Sequence, residues 1–143
     1  MYNFPIIKDF VVEYDLIIGS PKPKNKYGVI FRSDDVPGGL DYYYRISLKP
    51  IDKVIELTVW DDNEWVRVDE SDIPKQYLNS GETTRIRMEI LDNTFKVFLD
   101  GEFVHEFNDD ILPSAGILGI SLGSYDAPET FEYDNLQVFK ISP

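Results

Sequence analysis

The chain has 143 residues, of which 43% are hydrophobic and 14% aromatic, so it is long enough for one globular domain with a two-layer core and too apolar for a disordered chain. Its 14 basic residues stand against 26 acidic ones, and the net charge of −12 argues against binding to the phosphates of nucleic acids or to an anionic membrane surface. Cysteine is absent, which excludes disulfides, zinc-thiolate sites and thiol nucleophiles.

Apolar and polar residues alternate through most of the chain, which predicts β-strands, and no window shows helical periodicity with capping residues at both ends. Strands are predicted first in DFVVEYDLI and, beyond the proline-containing loop GSPKPKN, in KYGVIFRS. The turn DDVPGG leads to a third strand, DYYYRISLK. Because strand side chains alternate between faces, we predict that Tyr42 and Tyr44 are core residues and that Tyr43 lies on the opposite face.

The second half of the chain predicts two hairpins and further strands. KVIELTVW and EWVRV are joined across DDNE, and NTFKVFL and EFVHEF are joined across Asp100-Gly101, a pair that supplies the positive φ angles of a type I′ turn. TTRIRMEIL lies between the hairpins, and AGILGISLG and TFEYDNLQVFKI complete the series. Such short strands separated by turn residues predict one all-β domain over residues 1–143, an antiparallel two-sheet sandwich.

The order of these motifs, from DFVVEYDL through YGVIFRSDD, DYYYRISL and DNEWVRV to FEYDNLQVF, resembles the concanavalin A-like jelly roll of the laminin-G and pentraxin type. It is most similar to the bacterial versions attached to extracellular enzymes. The resemblance covers about Asp9 to Phe139 and implies a jelly-roll sandwich that serves as a non-catalytic accessory domain, extracellular or at the cell surface.

Such domains usually carry more chain ahead of the DFVVEYDL-like strand. We therefore expect a domain cut from a larger protein, or an N-terminal edge strand that is shortened, missing or supplied by a neighbour. The sequence shows neither a signal peptide nor an apolar run near the roughly 18 residues of a spanning helix, so we expect no membrane insertion and a cytoplasmic protein stays an alternative.

Catalysis is the least favoured function. Laminarinase-type glucanases of similar fold use a Glu-x-Asp-x-x-Glu strand, which becomes Glu132, Asp134 and Gln137 here, so the third carboxylate is absent. His105, the single histidine, falls opposite Lys96 if the two-residue turn sets the register, which favours a structural role. We predict that the protein is not an enzyme.

Alternation places aromatic, basic and hydroxyl residues together on the solvent side of one sheet. The ligand-binding candidates are Arg32, Tyr43, Arg45, Trp60, Trp65 and Arg67, and Ser47, Glu56 and Thr58 share their face. Sugar rings lie on aromatic side chains, so we predict that the three aromatic residues stack on a glycan or polysaccharide and that the arginines bind its hydroxyls or carboxylates. An acidic sugar would suit those arginines. The same composition suits a protein interface or self-association, and the two tryptophans can instead pack on each other.

Calcium takes six to eight oxygen ligands from loops, so aspartate-rich turns are candidate sites. The metal-binding candidates are Asp34, Asp35 and Asp41 around VPGG, followed by Asp61, Asp62, Asn63, Asp109 and Asp110. None of these matches the spacing of an EF-hand, but laminin-G and pentraxin domains often hold calcium at the rim of the sandwich. The alternative is that these residues only form turns.

Overall fold

The computed structural model of the protein describes residues 6–19, 26–33, 42–61, 64–112, 116–123 and 131–141. The strands are β1 (Ile6–Ile7), β2 (Phe10–Ile18), β3 (Lys26–Ser33), β4 (Tyr42–Lys49), β5 (Val54–Asp61), β6 (Glu64–Asp72), β7 (Thr83–Leu91), β8 (Thr94–Leu99), β9 (Glu102–Asn108), β10 (Gly116–Gly123) and β11 (Phe131–Lys140). They build two antiparallel sheets, which confirms the all-β sandwich predicted from alternation. None of the described residues forms a helix with the length and apolarity needed to cross a bilayer.

Consecutive strands pair within each sheet, and strands from the two ends of the chain complete both. The first sheet has the order β1-β10-β3-β4-β5-β6, and the second has the order β11-β2-β7-β8-β9. The edge strand β1 pairs Ile6 with Ile117 and Ile7 with Gly116 of β10. The N-terminal edge strand, which was expected to be shortened or missing, is thus present, and its described part is two residues long.

The core lies between the sheets and consists of every second residue of most strands. Its centre is a group of rings in which Phe31 stacks on Tyr44, with centroids 5.2 Å apart, and Phe95 meets both rings edge to face at 5.0 and 5.1 Å. Such aromatic pairs contribute about 0.5–1.5 kcal/mol beyond the burial of their area. Tyr44 is fully buried, as the alternation predicted.

Tyr42 departs from the prediction, because 41% of its surface is exposed. It is the first residue of β4 and pairs with Asp61, the last residue of β5, so it lies at the rim of the sandwich where the opposite sheet no longer covers it. The pleat sets the direction of a side chain, but burial also requires a layer above it.

The β8–β9 hairpin contains the predicted type I′ turn. Asp100 and Gly101 have φ angles of 50° and 82°, the left-handed values that this turn requires at both central positions. The register then shifts between Val97 and Phe98, which is the effect of a β-bulge with one extra residue in β9.

The bulge makes the predicted position of His105 wrong. His105 pairs with Val97, whereas Lys96 pairs with Glu106. The imidazole lies at the open side of the sandwich, where its Nε2 is 3.1 Å from Asp69 Oδ2 of β6. His105 thus links the edge strands of the two sheets, and the structural role predicted for it agrees with this contact.

Candidate ligand-binding face

The outer face, the side of the first sheet that points away from the core, is formed on β3 to β6 by the residues that alternate with the core residues. In its first row Tyr43 pairs with Trp60, which pairs with Trp65. In its second row Ile30 pairs with Arg45, Arg45 with Thr58, and Thr58 with Arg67. In its third row Gly28 pairs with Ser47, Ser47 with Glu56, and Glu56 with Glu70.

An aromatic pair occupies one end of the outer face. The rings of Tyr43 and Trp60 are close to parallel, with centroids 6.5 Å apart and an interplanar angle of 26°. Both side chains are half-buried, so each keeps part of its surface open to solvent. The sequence prediction that these two residues meet on one sheet face is confirmed.

The arginines predicted for this face have different positions. Arg45 is half-buried on the outer face, one row from the aromatic pair, and its carbonyl oxygen accepts a hydrogen bond of 3.4 Å from the Thr58 hydroxyl. Register places Arg67 and Trp65 in the same rows on β6. The side chains of these two residues lie outside the described part of the structure, so their ligand roles stay predictions.

The outward position predicted for Arg32 is wrong. Only 3% of its surface is exposed, because its backbone has a φ of 53° and leaves the alternation of β3 just where the pairing of β10 with β3 shifts register. Its guanidinium donates to the carbonyl oxygens of Asp92 (2.6 Å), Leu112 (3.2 Å) and Lys8 (3.4 Å) and to Asp9 Oδ1 (3.4 Å). Burial lowers the pKa of Arg32, and the neighbouring Asp9 carboxylate acts in the opposite direction. Arg32 thus connects four chain segments inside the protein.

A buried ion cluster occupies the other end of the outer face. The Glu56 carboxylate is 3% exposed and binds two ammonium groups, with Lys26 Nζ 3.1 Å from Oε1 and Lys49 Nζ 2.9 Å from Oε2. Burial disfavours the charged form of Glu56, but the hydrogen bonds from Lys49 and Lys26 outweigh it and lower the pKa of the carboxyl.

The small residues of the third row explain how this cluster forms. Lys26 belongs to β3, so its side chain must pass over β4 to reach Glu56 on β5, and the residues of β3 and β4 in the row of Glu56 are the small Gly28 and Ser47. Ser47 is fully buried although it lies on the outer face. The sequence predicted Glu56 and Ser47 on the solvent side of this sheet; they do lie on its outer face, but both are buried, and their link with Lys26 was not predicted.

Asp34, Asp35 and Asp41 lie outside the described residues, as do Asp62 and Asn63, so calcium at these loops stays a prediction. Among the residues that the structure describes, no three histidine, aspartate or glutamate side chains form a group suited to a metal ion. The carboxylate of Asp109 accepts hydrogen bonds from the Tyr44 hydroxyl (2.5 Å) and the Ile111 amide (2.9 Å).

The Glu-x-Asp-x-x-Glu match on β11 is interrupted by a register shift between Asp134 and Gln137. Asp134 is exposed and accepts a hydrogen bond from the amide of Asn135, whereas the side chain of Glu132 lies outside the described part. A concave region of about 390 Å³ lies on the second sheet. It is lined by Glu89, Leu91, Asp92, Thr94, Lys96 and Glu106.

Similarity to known proteins is found at the level of structure. No family model and no curated protein sequence matches the chain. The carbohydrate-binding module CBM66 from Bacillus subtilis superposes with a TM-score of 0.73 at 18% identity, covering 93% of this chain and 76% of its own. Sheep galectin-11 gives 0.66 at 13% identity, covering 96% and 95%, and the galectin LEC-6 from Caenorhabditis elegans gives 0.67 at 11%, covering 96% and 89%. The chain therefore has the jelly-roll β-sandwich fold that these proteins share.

Proposed function

We propose that the protein is a non-catalytic carbohydrate-binding module that holds a glycan or polysaccharide on its outer face. The observation that carries the proposal is the nearly parallel pair formed by Tyr43 and Trp60, both half-buried on the outer face, with Arg45 one row away. The C–H faces of sugars pack on aromatic rings, and neighbouring polar groups orient their hydroxyls. A carbohydrate-binding module and galectins have the same fold, which supports this class of ligand without identifying the sugar.

The proposal includes three further expectations from the sequence. No catalytic step is assigned, because the third acid of the glucanase pattern is replaced by Gln137. An extracellular or cell-surface location follows from the resemblance to accessory domains. Calcium at Asp34, Asp35 and Asp41 is tested by repeating each binding measurement with a chelator, which should weaken retention if the metal orders the nearby loop.

Replacement of Trp60 by alanine tests the proposal directly. Glycan-array screening of the wild-type protein identifies ligands, and affinity electrophoresis then compares the variants on the best of them. We expect Trp60→Ala to weaken binding roughly thirtyfold, which is about 2 kcal/mol and the size of a hot-spot residue. Phe103→Ala is the matched control, since Phe103 is an aromatic residue of the second sheet with 57% of its surface exposed.

Circular dichroism and thermal unfolding establish that both variants keep the fold. If folded Trp60→Ala binds the glycan as the wild type does, the proposal is wrong. The competing role is a protein interface or self-association through the same face. In that case light scattering should show a change of oligomeric state in Trp60→Ala while glycan retention stays unchanged.

A further inference from the structure

The ion cluster of Lys26, Glu56 and Lys49 has an excess of hydrogen-bond donors. Both carboxylate oxygens of Glu56 are already engaged, one by each lysine. An ammonium group has three donors, and each of these lysines uses one of them on Glu56. Their side chains are 22% and 23% exposed, so a part of each lysine remains in contact with solvent.

On β3 to β5 this end of the outer face carries more cations than acids among the described residues, although the whole protein has a net charge of −12 and the acids Glu70 and Asp72 lie on the neighbouring strand β6. Two lysines surround one carboxylate, and Arg45 adds a third cation one row away, next to Ser47 on the same side of β4. At physiological ionic strength the Debye length is about 8 Å, so distant acids are largely screened while groups in contact with a ligand act at nearly full strength.

The ion cluster and the aromatic pair lie along the same direction of the outer face, parallel to β4. Glu56 is opposite Ser47, which is four residues from Tyr43 along β4, or about 13 Å at the rise of a strand. Arg45 lies between them. A ligand that touches both ends must therefore extend over more than one sugar unit, with an apolar ring face at one end and an acceptor group at the other.

We propose that the glycan bound on the outer face is anionic and that its carboxylate or sulfate lies against the ammonium groups of Lys26 and Lys49. This inference rests on the proposed function and names its ligand class. Glu56 holds the two lysines side by side, and its buried charge prevents either one from folding away to a distant partner. Charge-assisted hydrogen bonds are about twice as strong as neutral ones, so an anionic substituent gains more from these donors than a hydroxyl does.

Matched polysaccharide pairs that differ only in charge test the proposal. The pairs are polygalacturonate and its methyl ester, dextran sulfate and dextran, and alginate and its propylene glycol ester, measured by affinity electrophoresis in about 0.15 M salt. In at least one pair, the acidic member should bind about tenfold more tightly than its neutral partner, the effect of one charge-assisted hydrogen bond.

Variants then assign the effect to the cluster. Lys49→Met should lower the affinity for the acidic member about tenfold, and Lys26→Met provides a second variant in case the first does not fold. Lys96→Met is the matched control, because Lys96 is a half-buried strand lysine on the opposite sheet and its replacement removes the same charge. It should change binding less than about twofold.

The outcomes distinguish the proposed glycan binding from the proposed anionic class of the glycan. If neutral and acidic members bind equally and depend on Trp60, the outer face binds glycans but the anionic ligand class is wrong. If the acidic member binds more tightly but no lysine variant weakens it, the assignment to the cluster is wrong. If no polysaccharide of the panel or the array is retained, the proposed function fails together with the inference.

Discussion

Replacement of Arg32 by methionine is expected to destabilise the protein strongly without touching the outer face. The guanidinium is fully buried, and its loss removes a donor from three carbonyl oxygens and the cationic partner of Asp9, whose carboxylate keeps the hydrogen bond from the Asp92 amide. Methionine restores some packing near Phe95, whose ring centre lies 5.2 Å from Arg32 Cζ. Removing one partner of a buried charge pair typically costs about 3–5 kcal/mol, which is a large part of the 5–15 kcal/mol that usually separates folded from unfolded states.

Arg85→Met is the matched control for this prediction. Arg85 is also a strand arginine with two carboxylate partners, Glu13 at 3.0 Å and Asp15 at 3.3 Å, but its side chain is 31% exposed. Ion pairs in contact with solvent contribute about 1 kcal/mol or less, so this variant should stay close to the wild type. The two arginines therefore separate the effect of burial from the effect of charge.

Urea unfolding followed by tryptophan fluorescence measures both variants. The free energy of unfolding in water is obtained by linear extrapolation, and an unchanged slope shows that the loss belongs to the folded state. Equal losses for Arg32→Met and Arg85→Met, or a loss below about 1 kcal/mol for Arg32→Met, would refute the structural role assigned to Arg32. Folded Arg32→Met should also keep its glycan retention, since the side chain does not reach the outer face.

Two further predictions concern the third row of the outer face. Glu56→Gln should lower the free energy of unfolding by about 1–3 kcal/mol at pH 7. Because the pKa of Glu56 in the folded protein lies below its ordinary value of 4.5, this difference from the wild type should shrink as the pH falls below that value. A difference that persists in acid would contradict the ion cluster. Gly28→Ala should destabilise the protein by about 1–3 kcal/mol in the same urea assay, because a Cβ at this position collides with the carbonyl oxygen of Ile46. Gly81→Ala is the control: no atom lies within 4 Å of the added Cβ, so this variant should lose no more than about 1 kcal/mol through backbone strain.

The sequence predicts the strands well because alternation reports directly on the pleat. Tyr44 and the other inward residues of β4 are buried as expected, and the DG dipeptide at Asp100 produces its hairpin. These signals are local: they depend on side-chain period and on the φ angles that a turn requires. The pairing of Tyr43 with Trp60 follows from the same reasoning, because both lie on the polar side of adjacent strands.

Two of the failures, those at Arg32 and His105, occur where the backbone leaves a period of two. Arg32 has a left-handed φ at a register shift, and β9 has a bulge that moves His105 by one position, and neither event has a distinct signature in the side chains. The link between Lys26 and Lys49 was missed for another reason. Eight residues, 34–41, connect their strands, and a connection of that length does not fix the register as a two-residue turn does.

Three consecutive tyrosines show how one strand places the same side chain in different surroundings. Tyr44 is buried among core rings and its hydroxyl binds Asp109, so its ring contributes to holding the two sheets together. Tyr43, one residue earlier, lies on the outer face beside Trp60, where the same ring contributes area that a ligand can cover. Tyr42 has the inward parity of β4 but lies at the rim of the sandwich, where 41% of its surface is exposed. Position along the strand alone thus decides whether a tyrosine packs in the core or lies on the outer face, so replacement of Tyr43 should leave the ring packing of Tyr44 unchanged.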